Sequence, residues 1–298
     1  MRTAIVGPGR LGTLLATAST RAGHRVVAVA GGSTASQERL TALVAGVRPV
    51  DLTEVARDAQ LVVLAVPDDA VAGVVRDLVT ADALQPGHRV VHLAGSRGTA
   101  ALALAGRAGA EVAACHPAMT VPTGTTDPAH LLGVAWAVTA GTTARPWARE
   151  WVRDLGGDPH DVPEDRRALY HAALTIGSNA VAAAVATARQ ALLAARIDDP
   201  APFLAPLARA SVDATVTTGA AALTGPVVRG DVATIAGHLA ALDRDVPELA
   251  ARYRLFAQAT LATARPGLDA DIVTALTRAL ADGPAGSGPA SAADQEQP

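Results

Sequence analysis

The chain has 298 residues, half of them hydrophobic, with a formal net charge of −3, enough length for two ordinary domains with buried cores. All 25 basic residues are Arg, which excludes a Schiff-base lysine and a lysine general acid. The arginines are scattered rather than gathered into a stripe, so nucleic acid is not an expected partner.

A short β-branched run at residues 3–6 stops at Gly7. Leu11, Leu14, Leu15 and Ala18 follow at helical spacing. A second apolar run covers 25–30, and others follow at 61–66, 89–94, 111–115 and 134–138. Helical patterns at about 36–46, 68–79, 98–108 and 143–155 separate them. Apolar strands without polar alternation, divided by helices, predict a parallel sheet covered on both faces. Past Val162 the pattern changes. Pro163 opens a long Ala/Leu/Val stretch to about Arg196, with further helices at roughly 202–220, 231–242, 246–263 and 268–281. The predicted layout is a doubly wound α/β domain at 1–162, an all-α domain at 163–281, and a Gly/Pro/Ser-rich disordered tail at 282–298.

No stretch reads as the roughly 18 apolar residues that span a bilayer, and the strand pattern beginning at Thr3 leaves no room for a signal peptide. The single Cys115 permits neither an internal disulfide nor a multi-cysteine metal site. A cytoplasmic protein with no membrane partner and no metal is the expectation.

Gly7-Pro8-Gly9-Arg10-Leu11-Gly12 matches G-x-G-x-x-G directly after a strand and at the opening of a helix. In that context Gly7 permits the tight turn, Gly9 lets a pyrophosphate approach the backbone, and Gly12 lets helix pack on strand. The helix N-terminus then favours phosphate. At the end of the second strand an NAD site places an acid for the ribose hydroxyl. Here the run is Ala30-Gly31-Gly32-Ser33-Thr34, with no acid before Glu38. Ser33, Thr34 and Arg39 suit a 2′-phosphate, which predicts NADP, although Ser33 or Thr34 could equally cap the next helix.

Val66 and Pro67 end a strand at the edge where such sheets bind ligands. Asp68 and Asp69 read better as the cap and first turn of the following helix. His92 and His116 each end a predicted strand on that same edge, with Ser96 nearby, and each has a bland alternative as a backbone-satisfied histidine. A long irregular segment containing Thr120 follows His116. Cys115 reads as an inert strand residue.

In the long helix, His171, Thr175 and Ser178 fall within roughly 40° of one another, with Asn179 alongside. A polar stripe in a helix expected to be buried needs partners, either a ligand or a neighbouring helix. Residues 223–231 interrupt the helices with two glycines and a proline. Arg229 there could grip a carboxylate, whereas Thr224 and Asp231 have capping alternatives.

Together these segments resemble a bacterial family described as Rossmann-like plus domain of unknown function 2520, of the 6-phosphogluconate dehydrogenase type. The resemblance rests on the Gly7–Gly12 loop, Val66-Pro67-Asp68-Asp69, Val91-His92, Cys115-His116-Pro117-Ala118-Met119-Thr120, Leu169-Tyr170-His171, Ser178-Asn179, residues 223–231 and Gly237-His238-Leu239. Ala94 stands where the family has Ser, and Val121 where it often has Phe. The resemblance implies an NADPH-dependent reductase of a small carbonyl or imine, such as a 2-keto or imino acid of ketopantoate type. Its relatives include ketopantoate, pyrroline-5-carboxylate and imine reductases and prephenate dehydrogenase. On this reading His116 and His171 are candidates for proton transfer, and Asn179 and Ser178 for orienting the carbonyl. Thr120, Thr224 and Arg229 lie on the substrate side, and Pro8, Arg10, Leu11, Val66, Pro67 and His92 on the cofactor side. A homodimer through the helical domain is expected. The alternative is a dinucleotide-binding regulatory protein without turnover.

Overall fold

The computed structural model describes residues 1–281, so the expected tail lies outside the described residues. In the first part of the chain, β1 (Arg2–Val6), α1 (Arg10–Arg21), β2 (Arg25–Ala30), α2 (Thr34–Leu43) and β3 (Arg48–Pro49) form one half of a sheet with its helices. The other half comprises β4 (Leu61–Leu64), α3 (Val71–Thr80), β5 (Arg89–His92), α4 (Ala103–Arg107), β6 (Glu111–Pro117), β7 (Ala135–Ala140), α5 (Arg145–Asp154) and β8 (Asp158–Asp161). The strand order is β3-β2-β1-β4-β5-β6-β7-β8.

Side chains on successive strand residues enter opposite cores. Ile5 and Val63 pack on one face with Leu14, Trp136 and Trp151. Ala4, Val6, Val62 and Leu64 pack on the other with Val71 and Val75. That alternation explains why the strands carry no polar residue every second position. The order reverses between β1 and β4, so the crevice beyond their carboxyl ends is where such a sheet takes its ligand.

Two strands, β7 and β8, depart from the expected parallel sheet, lying parallel to each other and opposite to the other six. β7 runs antiparallel to β6, pairing Cys115 with Val138. The connection, residues 118–134, holds only a single turn at Pro128–Leu131 and no helix of the kind that usually carries a parallel crossover. β3 and β8 escape a pattern reading for another reason. They are short edge strands, Arg-Pro and Asp-Pro-His-Asp, polar as edges are when they discourage further pairing.

Contacts divide the chain after Ile176, fourteen residues beyond the break in sequence pattern at Val162. The helix α6 (Arg167–Thr175) therefore belongs to the sheet unit. A π-helical turn, Ile176–Ala180, marks the division. The second unit holds α7 (Val181–Ala194), α8 (Ala201–Thr218), α9 (Val232–Asp245), α10 (Pro247–Ala264) and α11 (Ala270–Ala281). Its core is drawn from α9, α10 and α11 with Val227, whereas α7 and α8 contribute no buried residue.

Two sequence expectations fail here. The helical run Glu164–Ala194 has 31 residues, and its most apolar 18-residue window, with a mean hydropathy of 1.3, is long and apolar enough to cross a membrane by length and composition. Counting unbroken apolar runs missed it, because single polar residues are diluted by alanine. Nor is it a buried helix, since none of its most apolar window is covered within the chain.

Candidate functional site

At the β1–α1 turn each glycine has a separate reason to lack a side chain. Gly7 has φ +92°, and a Cβ there would lie 2.6 Å from the Ala65 carbonyl oxygen. A Cβ on Gly12 would collide with the Gly7 carbonyl oxygen. Gly9 is different: a Cβ would meet nothing within 4 Å. It caps α1 in an extended conformation, so open space lies against first-turn N–H groups that the helix itself cannot pair. Pro8 is buried beneath the turn, Leu11 is half-buried, and Arg10 is exposed with its guanidinium donating to the Val121 carbonyl.

Beyond β2, Gly31 and Gly32 both take positive φ. The Ser33 Oγ accepts from the Ser36 N–H, so its capping role is realised. Thr34 and Arg39 are exposed, and no acid lies in the first turn of α2. The residues present therefore fit a dinucleotide with a 2′-phosphate: a cradle open at Gly9, and an acid-free helix start with a hydroxyl and a guanidinium at hand.

The carboxyl ends of β4, β5 and β6 bring together side chains distant in sequence. Val66 is half-buried and Pro67 exposed after β4. Asp68 does not cap α3, whose N-cap is Ala70. Its carboxylate instead accepts from the Ser96 hydroxyl at 3.0 Å, which corrects the capping expectation for Asp68. His92 is fully buried; Nε2 donates to the Gly98 carbonyl at 2.9 Å and Nδ1 accepts from the Ala94 N–H at 3.1 Å. With both nitrogens spent on the β5 turn, His92 shapes that turn and has no ring nitrogen left for a cofactor.

His116 stands apart. Its Nδ1 lies 2.9 Å from the Tyr170 hydroxyl, with the rings edge-on at 5.7 Å. His171 meets the same imidazole edge-on at 5.8 Å. Gly95 makes this possible: a Cβ there would strike the His171 ring and lie 3.0 Å from Nε2 of both histidines. Burial, helped by Arg167 and His171, lowers the His116 pKa to about 4, so the ring is neutral at physiological pH.

Arg167 holds the arrangement from behind. It is 1% exposed, and its guanidinium donates to the carbonyls of Arg97, Ala137 and Ala94 at 2.9, 3.2 and 3.1 Å. It also lies 5.8 Å from the Tyr170 ring centroid. Glu164 ties the start of the same helical run to the β5 loop, accepting from the Thr99 and Ala100 N–H groups. Burial raises the Glu164 pKa, but those hydrogen bonds and Arg167 outweigh it and hold the carboxyl below its usual range.

Thr120 is exposed on the loop after β6. In the second unit Asn179 is exposed and Ser178 half-buried in the π turn, with the Ser178 hydroxyl 3.4 Å from the Asn179 Oδ1. The stripe is not starved of partners as a buried one would be: the Thr175 hydroxyl simply donates to the His171 carbonyl. Thr224 and Arg229 are exposed, and Asp231 caps α9 through the Thr234 N–H. Cys115 is buried, its thiol pushed up to about 12 by desolvation, and is inert.

Sequence reading missed Tyr170, Arg167 and Gly95. Tyr170 precedes His171, and adjacency on a helix hid that both side chains reach His116. Arg167 resembled one of many surface arginines, and only its three carbonyl partners reveal its task.

Residues 1–117 match the family described as Rossmann-like domain, and residues 134–260 match Domain of unknown function (DUF2520). No curated protein matches the chain. Among solved structures, the Bacteroides fragilis protein BF3122, described as an NADP oxidoreductase, is 23% identical with a TM-score of 0.73, covering 87% of this chain and 97% of its own. A Streptomyces aurantiacus imine reductase is 18% identical with a TM-score of 0.64, covering 93% and 99%. An imine reductase from Myxococcus stipitatus in complex with NADP+ is 18% identical with a TM-score of 0.61, covering 93% and 100%. These likenesses establish a shared fold.

Proposed function

The chain joins a Rossmann-like domain to a DUF2520 domain, and from that pairing we propose an NADPH-dependent reductase of a small carbonyl or imine, such as a 2-keto or imino acid. The observation that carries the proposal is the His116–Tyr170–His171 cluster around Gly95, set on the ligand-binding edge of the sheet. The Streptomyces and Myxococcus imine reductases that share this fold support the same reading. When bound, the cofactor supplies a hydride. Gly7, Gly9 and Gly12 seat its pyrophosphate, Val66 and Pro67 border the nicotinamide, and Thr34 and Arg39 hold the 2′-phosphate. His116 and His171 handle the proton. Ser178, Asn179 and Thr120 orient the carbonyl or imine, and Arg229 binds a carboxylate. Panels of 2-keto acids and cyclic imines with NADPH test this directly. Tight NADPH binding with no turnover on any member would favour a regulatory dinucleotide-binding protein.

Cofactor preference follows from the same loop. One or two charge-assisted contacts at about 1.5–3 kcal/mol each give at least a tenfold preference for NADPH over NADH. Arg39→Ala should erase most of that preference in a fluorescence titration. Equal affinities in the unaltered protein would refute the assignment.

We also propose a homodimer formed through the helical unit. α7 and α8 bury no residue, yet Phe203 is 58% exposed, Leu207 65% and Val216 83%. An apolar surface of that kind is normally covered, and a second copy in two-fold symmetry is the simplest cover. Light scattering at micromolar concentration should give twice the chain mass, and Leu207→Glu should return it to one. A monomer in the unaltered protein overturns this. The single buried Cys115 suits a reducing compartment, and we place the protein in the cytoplasm.

A further inference from the structure

The ring of His116 is neutral, so its use as a proton donor depends on which nitrogen carries the hydrogen. The contacts around the ring constrain the answer. Nδ1 faces the Tyr170 hydroxyl at 2.9 Å, whereas Nε2 lies on the Gly95 side of the ring, with the His171 ring alongside. A phenol and an imidazole can share a proton in two directions. Imidazole nitrogen is much the stronger base and phenolic oxygen a poor acceptor, so O–H···N is the better bond. The Arg167 cation beside the Tyr170 ring biases it further, because drawing electrons from the ring strengthens the phenol as a donor.

We infer that Tyr170 is a positioning residue that donates its hydroxyl hydrogen to Nδ1 of His116, fixing the neutral tautomer that carries its hydrogen on Nε2, on the Gly95 side of the ring. As reduction proceeds, the Nε2–H bond breaks and the proton passes to the oxygen or nitrogen of the acceptor, whose carbon takes the hydride. The Tyr170 O–H bond breaks as a new Nδ1–H bond forms. The tyrosinate, left beside Arg167, is reprotonated by water. His116 stays neutral throughout, which reconciles proton delivery with a ring whose pKa is held near 4 by burial first and then by Arg167 and His171. Asp68 works in the opposite direction, and His92 adds a smaller lowering effect. Burial also raises the Tyr170 pKa, so the phenol keeps its hydrogen in the resting protein. The use of this relay rests on the reductase reading, but the direction of the hydrogen bond belongs to the protein alone.

Imidazole-¹⁵N-labelled protein at neutral pH supplies the test, with His116→Gln identifying the signal. Long-range ¹⁵N–¹H correlation should show His116 as the Nε2–H tautomer. In Tyr170→Phe the signal should move to a mixture of tautomers. Should that variant fail to fold, 3-fluorotyrosine in a Tyr253→Phe background leaves Tyr170 as the sole labelled phenol, and its stronger donation should shift the Nδ1 resonance. An Nδ1–H tautomer in the unaltered protein, or a signal indifferent to both changes at Tyr170, overturns the inference. On any substrate the protein reduces, Tyr170→Phe should lower kcat by roughly tenfold to a hundredfold with NADPH affinity unchanged. Absence of turnover on every substrate retires the reductase reading, while the tautomer result stands or falls separately.

Discussion

His171→Ala is expected to lower turnover by roughly 10²–10⁴ if the ring transfers or relays the proton, the usual worth of general acid catalysis. Asn179→Ala should cost roughly 10²–10³, by analogy with a deleted oxyanion donor. Both variants should bind NADPH normally, since the phosphates are assigned to the Gly7–Gly12 turn. The competing explanation is that these side chains merely pack the helix. It predicts lower melting temperatures with intact activity per folded molecule. Exposure argues against packing for Asn179, whose only polar side-chain contact among the described residues is with Ser178. His171 is half-buried against His116 and over Gly95, so its removal also empties space. Gly95→Ala provides the complementary test, because a Cβ there drives into the His171 ring. Measuring turnover, NADPH affinity and melting temperature on the same preparations separates the two explanations. Destabilised but fully active variants would assign the helix face to packing and leave His116 with the chemistry.

Much of the sheet was legible because a parallel strand covered on both faces has an unambiguous apolar run, as at 25–30 and 61–64. The dinucleotide turn was legible because the steric demands on Gly7 and Gly12 leave no alternative residue. The reversal of β7 was not legible, since an apolar run carries no sign for direction. The long helix misled for a related reason. An alanine-rich helix reads as buried from composition, but composition cannot say whether its cover comes from the same chain. His116 was found from its place at a strand end. Its partners were not, because Tyr170 is 54 residues away and the contact depends on how α6 meets the sheet.

Arg167→Met should lower stability by about 3 kcal/mol, the order expected when buried acceptors lose a charged donor. Two effects oppose each other. Removing a desolvated cation is favourable in itself, and burial already lowers the Arg167 pKa. Against that, three carbonyls at Ala94, Arg97 and Ala137 lose the group that binds them. Guanidinium is weakly hydrated and offers five donors in a planar fork, so its burial costs less than that of an ammonium and is better repaid. The carbonyls should therefore decide the sign. For a chain of this size about 3 kcal/mol corresponds to a fall in Tm of roughly 6–12 °C. Arg167→Lys should recover little of it, because one ammonium cannot reach acceptors fanned around a planar group. Arg167→Met, unlike Arg167→Lys, removes one cause of the depressed His116 pKa, so the His116 titration should move upward yet stay below the ordinary imidazole value, burial being the larger cause. A folded-state pKa below the unfolded one makes stability full above the unfolded value near 6.5 and progressively lost as pH falls toward about 4. In Arg167→Met that contribution to acid sensitivity should shrink even though the protein is weaker at neutral pH. An unchanged or higher Tm would mean that relief from burying the cation outweighs the three orphaned carbonyls, and Arg167 would then be retained for its field on Tyr170 and His116 rather than for the fold.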